Sequence, residues 1–202
     1  NEGSQIEAIV TRGDIGVSTE ILQLLPEVGL VAVFGVGTDA IDLKYTKQRD
    51  IAVAITSGVL TNDVADMALG LMISGARNLC SGDQFVREGR WRNEAPALGK
   101  QVSGKRLGIV GMGNIGQAIA RRATAFEMLI SYHCPNRKEA LPYTWFESLT
   151  ELASCSDFLI IATAGGVETQ NLVNKEVLAA MPKDAWLINI SRGSVVDERA
   201  LI

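Results

Sequence analysis

Three glycines spaced for contact with phosphate carry the strongest chemical signal in the chain. Gly111-Met112-Gly113-Asn114-Ile115-Gly116 follows the apolar run Leu107-Gly108-Ile109-Val110 and precedes helical sequence over 117–126. A strand before such a turn and a helix after it make a diphosphate site. Gly111 permits the tight turn, Gly113 lets a ligand approach the backbone, and Gly116 lets helix and strand pack closely. The helix start, with Asn114 and Ile115, would present free N–H groups and the positive end of the helix dipole to the phosphates. A glycine-rich turn that binds nothing is the alternative, and the strand and helix on either side weigh against it.

The next strand predicts which dinucleotide would be chosen. Leu129-Ile130-Ser131-Tyr132 runs into His133-Cys134-Pro135-Asn136-Arg137-Lys138, and Glu139 is the first carboxylate after position 130. An NAD site places an acidic residue about 20 positions beyond the glycines, where it bonds the ribose 2′-hydroxyl. Here cations stand where a 2′-phosphate would lie, and a guanidinium can grip phosphate through two parallel hydrogen bonds. The expectation is NADP(H), with Arg137 as main contact and Asn136, Lys138 and His133 in support, and with NAD(H) as the less favoured cofactor. The competing view is that Arg137 and Lys138 are solvated loop charges; the missing carboxylate tells against it. His133 is the single histidine of the 202 residues and so invites a proton-transfer role. Its place after the second strand puts it near the adenosine half, so it is not expected to be the proton donor.

The elements that must position these residues alternate in type. Short β-branched runs over 6–11, 30–35, 51–55, 107–110, 129–132, 158–162 and 186–190 predict strands, and their nearly continuous apolar character fits parallel strands covered on both faces. Helical spacing over 19–25 puts Ile21, Leu22 and Leu25 on one face after a cap at Ser18. Ser148-Leu149-Thr150-Glu151 has capping-box spacing, Asn174 can cap a helix that Pro182 follows, and a long helix should start near Asn62 and run past Ile73 between two lobes. The polar stretch over 88–104 reads as an arm. The fold class is therefore α/β, a Rossmann-like doubly wound parallel sheet plus a partial flavodoxin-like lobe. The expected lobes are 1–61, for substrate, and 62–202, for NAD(P).

Composition narrows the classes further. Apolar residues make up 47% of the chain, enough for a packed core, and 19 Lys and Arg against 23 Asp and Glu give a net charge of −4. Without a basic run, a nucleic-acid or anionic-membrane partner is not expected. Cys80, Cys134 and Cys155 show neither disulfide-framework nor zinc-ligand spacing, so reduced thiols in the cytoplasm and no metal are expected. No stretch reaches the ~18 apolar residues of a membrane helix, and the polar N-terminus shows no signal peptide. A chain that opens without Met and stops at Ile202 is expected to be part of a longer polypeptide.

Four stretches together resemble the D-isomer-specific 2-hydroxyacid dehydrogenases. They are Phe34-Gly35-Val36-Gly37-Thr38-Asp39, Val64-Ala65-Asp66-Met67-Ala68-Leu69, the glycine turn, and Ile188-Asn189-Ile190-Ser191-Arg192-Gly193-Ser194-Val195-Val196-Asp197. Within that family, Thr56-Ser57-Gly58-Val59-Leu60-Thr61-Asn62-Asp63 is most similar to glyoxylate/hydroxypyruvate reductases, including the plant hydroxyphenylpyruvate type. The resemblance implies hydride transfer between a nicotinamide and C2 of a small 2-oxo or 2-hydroxy acid. It implies that the backbone of Val36 and Gly37 binds the substrate carboxylate, that Arg192 grips carboxylate and carbonyl, and that Leu60 lines the pocket, although Leu60 is as easily core. Further implied cofactor contacts are Arg192 itself and the Ile190 backbone near the carboxamide, and Ala162-Thr163-Ala164 with Thr169 near the adenosine half. The family is commonly dimeric, which implies a homodimer with Trp91 of the arm at its interface.

Arg192 also stands on its own chemistry, since it follows the last strand at the carboxyl end of the sheet, where open α/β folds bind ligands. A permanently charged fork suits an anionic substrate and a developing alkoxide. Without its Ser-Arg-Gly context, a structural salt bridge would be the simpler reading. The resemblance places the family's catalytic glutamate and histidine later than Arg192, beyond Ile202, so neither is assigned here. Two other readings remain: a dinucleotide-sensing binding protein of the C-terminal binding protein corepressor type, and another dehydrogenase on the same scaffold, acting on phosphoglycerate or formate. Glu127 stands where the family usually closes the helix with glycine.

Overall fold

Two parallel sheets organise the chain. They fall in separate compact units, Asn1–Leu60 and Thr61–Ile202. The structure is a computed structural model and describes residues 2–202.

In the first unit, β1 (Ala8–Arg12), β2 (Leu30–Phe34) and β3 (Ala52–Ile55) lie side by side in sequential order. The first strand starts two residues later than the apolar run suggests, because its pairing with β2 begins at Ala8 opposite Leu30. Between β1 and β2, α1 (Thr19–Leu24) starts where the Ser18 hydroxyl accepts from Ile21 N–H at 3.3 Å. Leu22 is buried and Leu25 packs beside it, but Ile21 is half exposed, contrary to the expected common face. Successive helical positions point about 100° apart, so Ile21 cannot follow Leu22 inward. A second helix, α2 (Leu43–Gln48), was not expected from apolar spacing; it is set by Asp42, whose carboxylate accepts from Lys44 and Tyr45 N–H at 3.0 and 2.9 Å. The core is Val17, Leu22, Val28, Val31, Val33, Ile41 and Ile51.

The second unit opens with α3 (Thr61–Ala76) and α4 (Leu79–Arg87). Its sheet strands are β4 (Arg106–Val110), β5 (Leu129–His133), β6 (Thr144–Trp145), β7 (Phe158–Ile161) and β8 (Trp186–Asn189), all parallel in the order β6-β5-β4-β7-β8. The remaining helices are α5 (Asn114–Ala123), α6 (Leu149–Ser154), α7 (Lys175–Ala180) and α8 (Glu198–Leu201). Ser148 and Asn174 cap α6 and α7 as their spacing predicts. The two-residue strand β6 was not expected.

Two apolar cores cover the faces of this sheet. Leu69 and Met72 of α3 join Ile119 of α5 against Leu107, Ile109 and Ile160, while Leu152 of α6 and Val177 of α7 close over Val110, Leu159 and Ile161. Helix α3 packs on α5, and its buried face includes Ala65, Ala68 and Ala76, small residues that allow close approach. Arg122 of α5 fastens this pair, donating to Asp66 at 2.5 Å and to Asn62 at 3.0 Å. Beyond α4, Trp91 packs edge-on to the buried Phe85, with centroids 6.3 Å apart, and the rest of the arm has little regular structure. Among the described residues, no helix is long and apolar enough to cross a membrane.

Candidate functional site

The glycine turn sits at the carboxyl end of β4, the central strand. From β4 the chain builds one way through β5 to β6 and later the other way through β7 to β8, so the turn lies at the point where strand order reverses. Gly111 has φ +95°, and a Cβ there would stand 2.7 Å from the Thr163 backbone. A Cβ on Gly116 would overlap the Gly111 carbonyl oxygen, so this third glycine holds the helix against its own turn. Gly113 differs: a Cβ would meet nothing within 4 Å, and the residue is exposed. Two glycines are thus required by protein contacts, and the third faces open space where a diphosphate would approach.

Helix α5 begins at Asn114, three residues earlier than expected, with Gly113 as its N-cap and no side chain capping it. The N–H groups of its first turn are therefore available to an anion. A diphosphate fits this cradle on geometry and dipole alike.

Other predicted residues line the same edge of the sheet. The backbone joins them: Gly111 N–H donates to the His133 carbonyl at 2.9 Å, Ala162 N–H to Val110 at 2.8 Å, and Ile190 N–H to Ile161 at 3.2 Å. Thr169 is turned onto this loop, its hydroxyl donating to the Ala164 carbonyl at 2.8 Å. Arg192 comes two residues after Ile190, at the carboxyl end of β8. Its backbone is fixed by Asn189, which donates through Nδ2 to the Arg192 carbonyl at 2.8 Å and accepts from Ser191 N–H at 2.9 Å. Ser191 in turn donates to the Thr163 carbonyl. Sequence reasoning passed over Asn189 and Ser191; the family motif contains both, but their partners are set by the fold.

The loop after β5 keeps Asn136, Arg137 and Lys138 exposed. Arg137 pairs with Glu139 at 3.3 Å, with both side chains largely in solvent. Such a pair contributes roughly 0–1 kcal/mol and yields readily to a stronger anion. His133 Nδ1 lies 3.1 Å from the Phe146 carbonyl oxygen, which requires that nitrogen to carry the proton.

In the first unit, Val36 and Gly37 follow β2. Gly35 has φ +129°, and its N–H donates to the Thr56 hydroxyl at 2.9 Å. Gly37 crosses so close to Gly13 that a Cβ on Gly13 would overlap its carbonyl. Val36 is exposed, while Gly37 and Leu60 are half-buried.

A parallel sheet with a glycine turn at its reversal point and an open helix start defines the second unit as a dinucleotide-binding Rossmann unit. The chain belongs to the D-isomer specific 2-hydroxyacid dehydrogenase family, whose NAD binding domain matches residues 69–202. It is 42% identical over 202 residues to a 2-ketogluconate reductase of Gluconobacter oxydans, covering 100% of this chain and 65% of the relative. It is 40% identical over 201 residues to a hydroxyphenylpyruvate reductase of Plectranthus scutellarioides, covering 100% of this chain and 64% of that one. Among solved structures it superimposes with TM-score 0.93 on an NADPH-dependent glyoxylate/hydroxypyruvate reductase from Sinorhizobium meliloti in complex with NADP and malonate. That pair is 37% identical, over 99% of this chain and 63% of the other. The chain thus spans just under two thirds of the length of each of these relatives.

Proposed function

We propose that the protein is an NADPH-preferring reductase of small 2-oxo acids such as hydroxypyruvate or glyoxylate, giving the 2-hydroxy acid, with D configuration where C2 becomes a stereocentre. The observation that carries this reading is the loop after β5, where Asn136, Arg137 and Lys138 are exposed and the first carboxylate, Glu139, is itself paired with Arg137. Names of relatives agree with it: hydroxyphenylpyruvate reductase, and an NADPH-dependent glyoxylate/hydroxypyruvate reductase seen with NADP.

When bound, the nicotinamide supplies the hydride. The chain's own residues do the rest of what can be assigned. Gly111, Gly113 and Gly116 shape the turn, and the N–H groups at the start of α5, with Asn114 and Ile115, hold the diphosphate. Arg137 grips the 2′-phosphate, supported by Asn136, Lys138 and His133. Ala162, Thr163 and Thr169 border the adenosine half, and the Ile190 backbone meets the carboxamide. Arg192 binds the acid and stabilises negative charge growing on its carbonyl oxygen. Val36 and Gly37 offer backbone N–H groups to the carboxylate, with Leu60 beside them. His133, held on the Phe146 carbonyl, serves the cofactor side and is not the proton donor. The family's dimeric habit suggests a homodimer, supported by the exposed Leu79, Val86, Trp91 and Leu98 on α4 and the arm.

Titration of the chain with NADPH and NADH tests the cofactor assignment. NADPH is expected to bind at least about tenfold tighter, the size of one charge-assisted phosphate contact, and Arg137→Ala should remove most of that margin. Equal or tighter NADH binding overturns it. For the substrate assignment, Arg192→Ala in the full-length protein should cut turnover of hydroxypyruvate with NADPH by roughly 10²–10³-fold while weakening NADPH binding far less. Absence of turnover with every short 2-oxo acid would defeat the reductase assignment.

A further inference from the structure

The 133–138 loop presents its polar tips to solvent, yet its backbone is held from the interior. Tyr132, the residue before the loop, is 1% exposed, with its ring in the core that also holds Ile130 and Cys134. Its hydroxyl reaches the far end of the loop. There it accepts from Lys138 N–H at 2.9 Å and faces the Lys138 carbonyl oxygen, as donor, at 3.4 Å. Trp145 of β6 holds the near end, its Nε1 donating to the Cys134 carbonyl at 3.1 Å. The same strand end is tied to the glycine turn through the bond from Gly111 N–H to the His133 carbonyl.

We infer that Tyr132, with Trp145 as a second anchor, is a positioning residue that sets the preference for the 2′-phosphorylated cofactor. This rests on the reading of Arg137 and Lys138 as the 2′-phosphate contacts. Arg and Lys lose much rotamer freedom when they close on a ligand. A loop whose backbone also had to be ordered at that moment would bind more weakly, so a backbone fixed beforehand strengthens the contact. The phenol oxygen does this without touching the ligand, because it gives the Lys138 backbone N–H a buried acceptor and adds a longer bond to the Lys138 carbonyl, which also accepts from Leu141 N–H at 3.0 Å. The effect is confined to a cofactor that bears the phosphate. Both hydrogen bonds of the Tyr132 hydroxyl go to Lys138, and neither reaches the glycine turn or the β7 and β8 loops, where the rest of a dinucleotide lies.

Tyr132→Phe keeps the ring and removes the oxygen. In the variant chain, amide exchange at Lys138 should speed by about tenfold or more, since its N–H loses a buried acceptor. NADPH affinity should fall about five- to tenfold, and NADH affinity should change by less than about twofold. Trp145→Phe should move the same readings in the same direction by a smaller factor, and it carries the comparison if Tyr132→Phe fails to fold. Equal weakening of NADPH and NADH would make Tyr132 a core residue only and overturn the inference. So would unchanged NADPH affinity in Tyr132→Phe while Arg137→Ala weakens NADPH alone, an outcome that leaves the phosphate reading intact. If Arg137→Ala and Lys138→Ala both leave NADPH affinity unchanged, the phosphate reading itself fails, and the role in cofactor preference falls with it whatever the amide exchange shows.

Discussion

The two sheets are built from similar apolar runs and are buried very differently. In the second unit β7 is buried along its whole length, with helices α3 and α5 over one face and α6 and α7 over the other. In the first unit burial alternates along β2, and Val10 and Phe34 remain 80% and 67% exposed. Its helices α1 and α2 serve one face. A strand's apolar content shows that it can be covered, and the packing of helices decides on how many sides it is. The sequence reading took every such run as covered on both faces, which describes the second unit's central strands and not the first unit.

The widest gap should appear in stability. Ile160→Ala, in a fully buried site, is expected to cost about 2–5 kcal/mol in chemical denaturation, whereas Val10→Ala should stay within about 0.5 kcal/mol. Comparable losses would erase the contrast between the sheets. A second pair asks whether local strain follows core depth. Glu127 after α5 and Asp50 after α2 have φ of +56° and +58°. Glu127→Gly should stabilise by about 0.5–1 kcal/mol, and Asp50→Gly by less, because Asp tolerates this conformation better. Thermal melts of both variants would show it; a larger gain at Asp50 would mean that the surrounding unit, not the residue, sets the cost.

The smallest effect concerns ion pairs. The side-chain hydrogen bond from Arg106 lowers the Asp157 pKa, outweighing partial burial, and Arg106 N–H at 2.9 Å and the guanidinium at 2.7 Å both donate to the carboxylate. Because the folded pKa lies below the ordinary value of 3.8, this contribution is complete above about pH 5, fades as pH falls through the ordinary value and is lost below the folded pKa. With side chains 45% and 30% exposed, Asp157→Asn should cost less than about 1 kcal/mol at neutral pH. The difference from the parent chain should close on acidification when unfolding is followed against pH; a constant gap would show that hydrogen bonding, not charge, matters there. The more exposed Arg12–Asp14 pair of the first unit should show a smaller effect still.

Much of the candidate site was readable because its parts are local. Gly111, Gly113 and Gly116 lie within six residues, and strand, turn and helix each announce themselves by short-range rules. Caps at Ser18, Ser148 and Asn174 were equally visible, since each bonds an amide two or three positions away. Helix α2 was missed because it is six residues long and rests on Asp42, with Thr46 its one buried residue, so no apolar stripe marks it. Strand β6 was missed because two residues carry no period.

From residue order alone followed the family, the α/β class, the glycine turn, the cation-bearing loop and the arginine after the last strand, since each depends on neighbours within one element. What the tertiary structure alone decided were contacts between distant positions. Gly111 must lack a side chain because Thr163 lies against it, and Asn189 and Ser191 steady Arg192 through the β7 loop. Tyr132 turns its hydroxyl toward a loop backbone rather than toward another partner, because the core fixes its ring. Such pairings depend on where the fold brings the chain back on itself, and no short-range pattern encodes that.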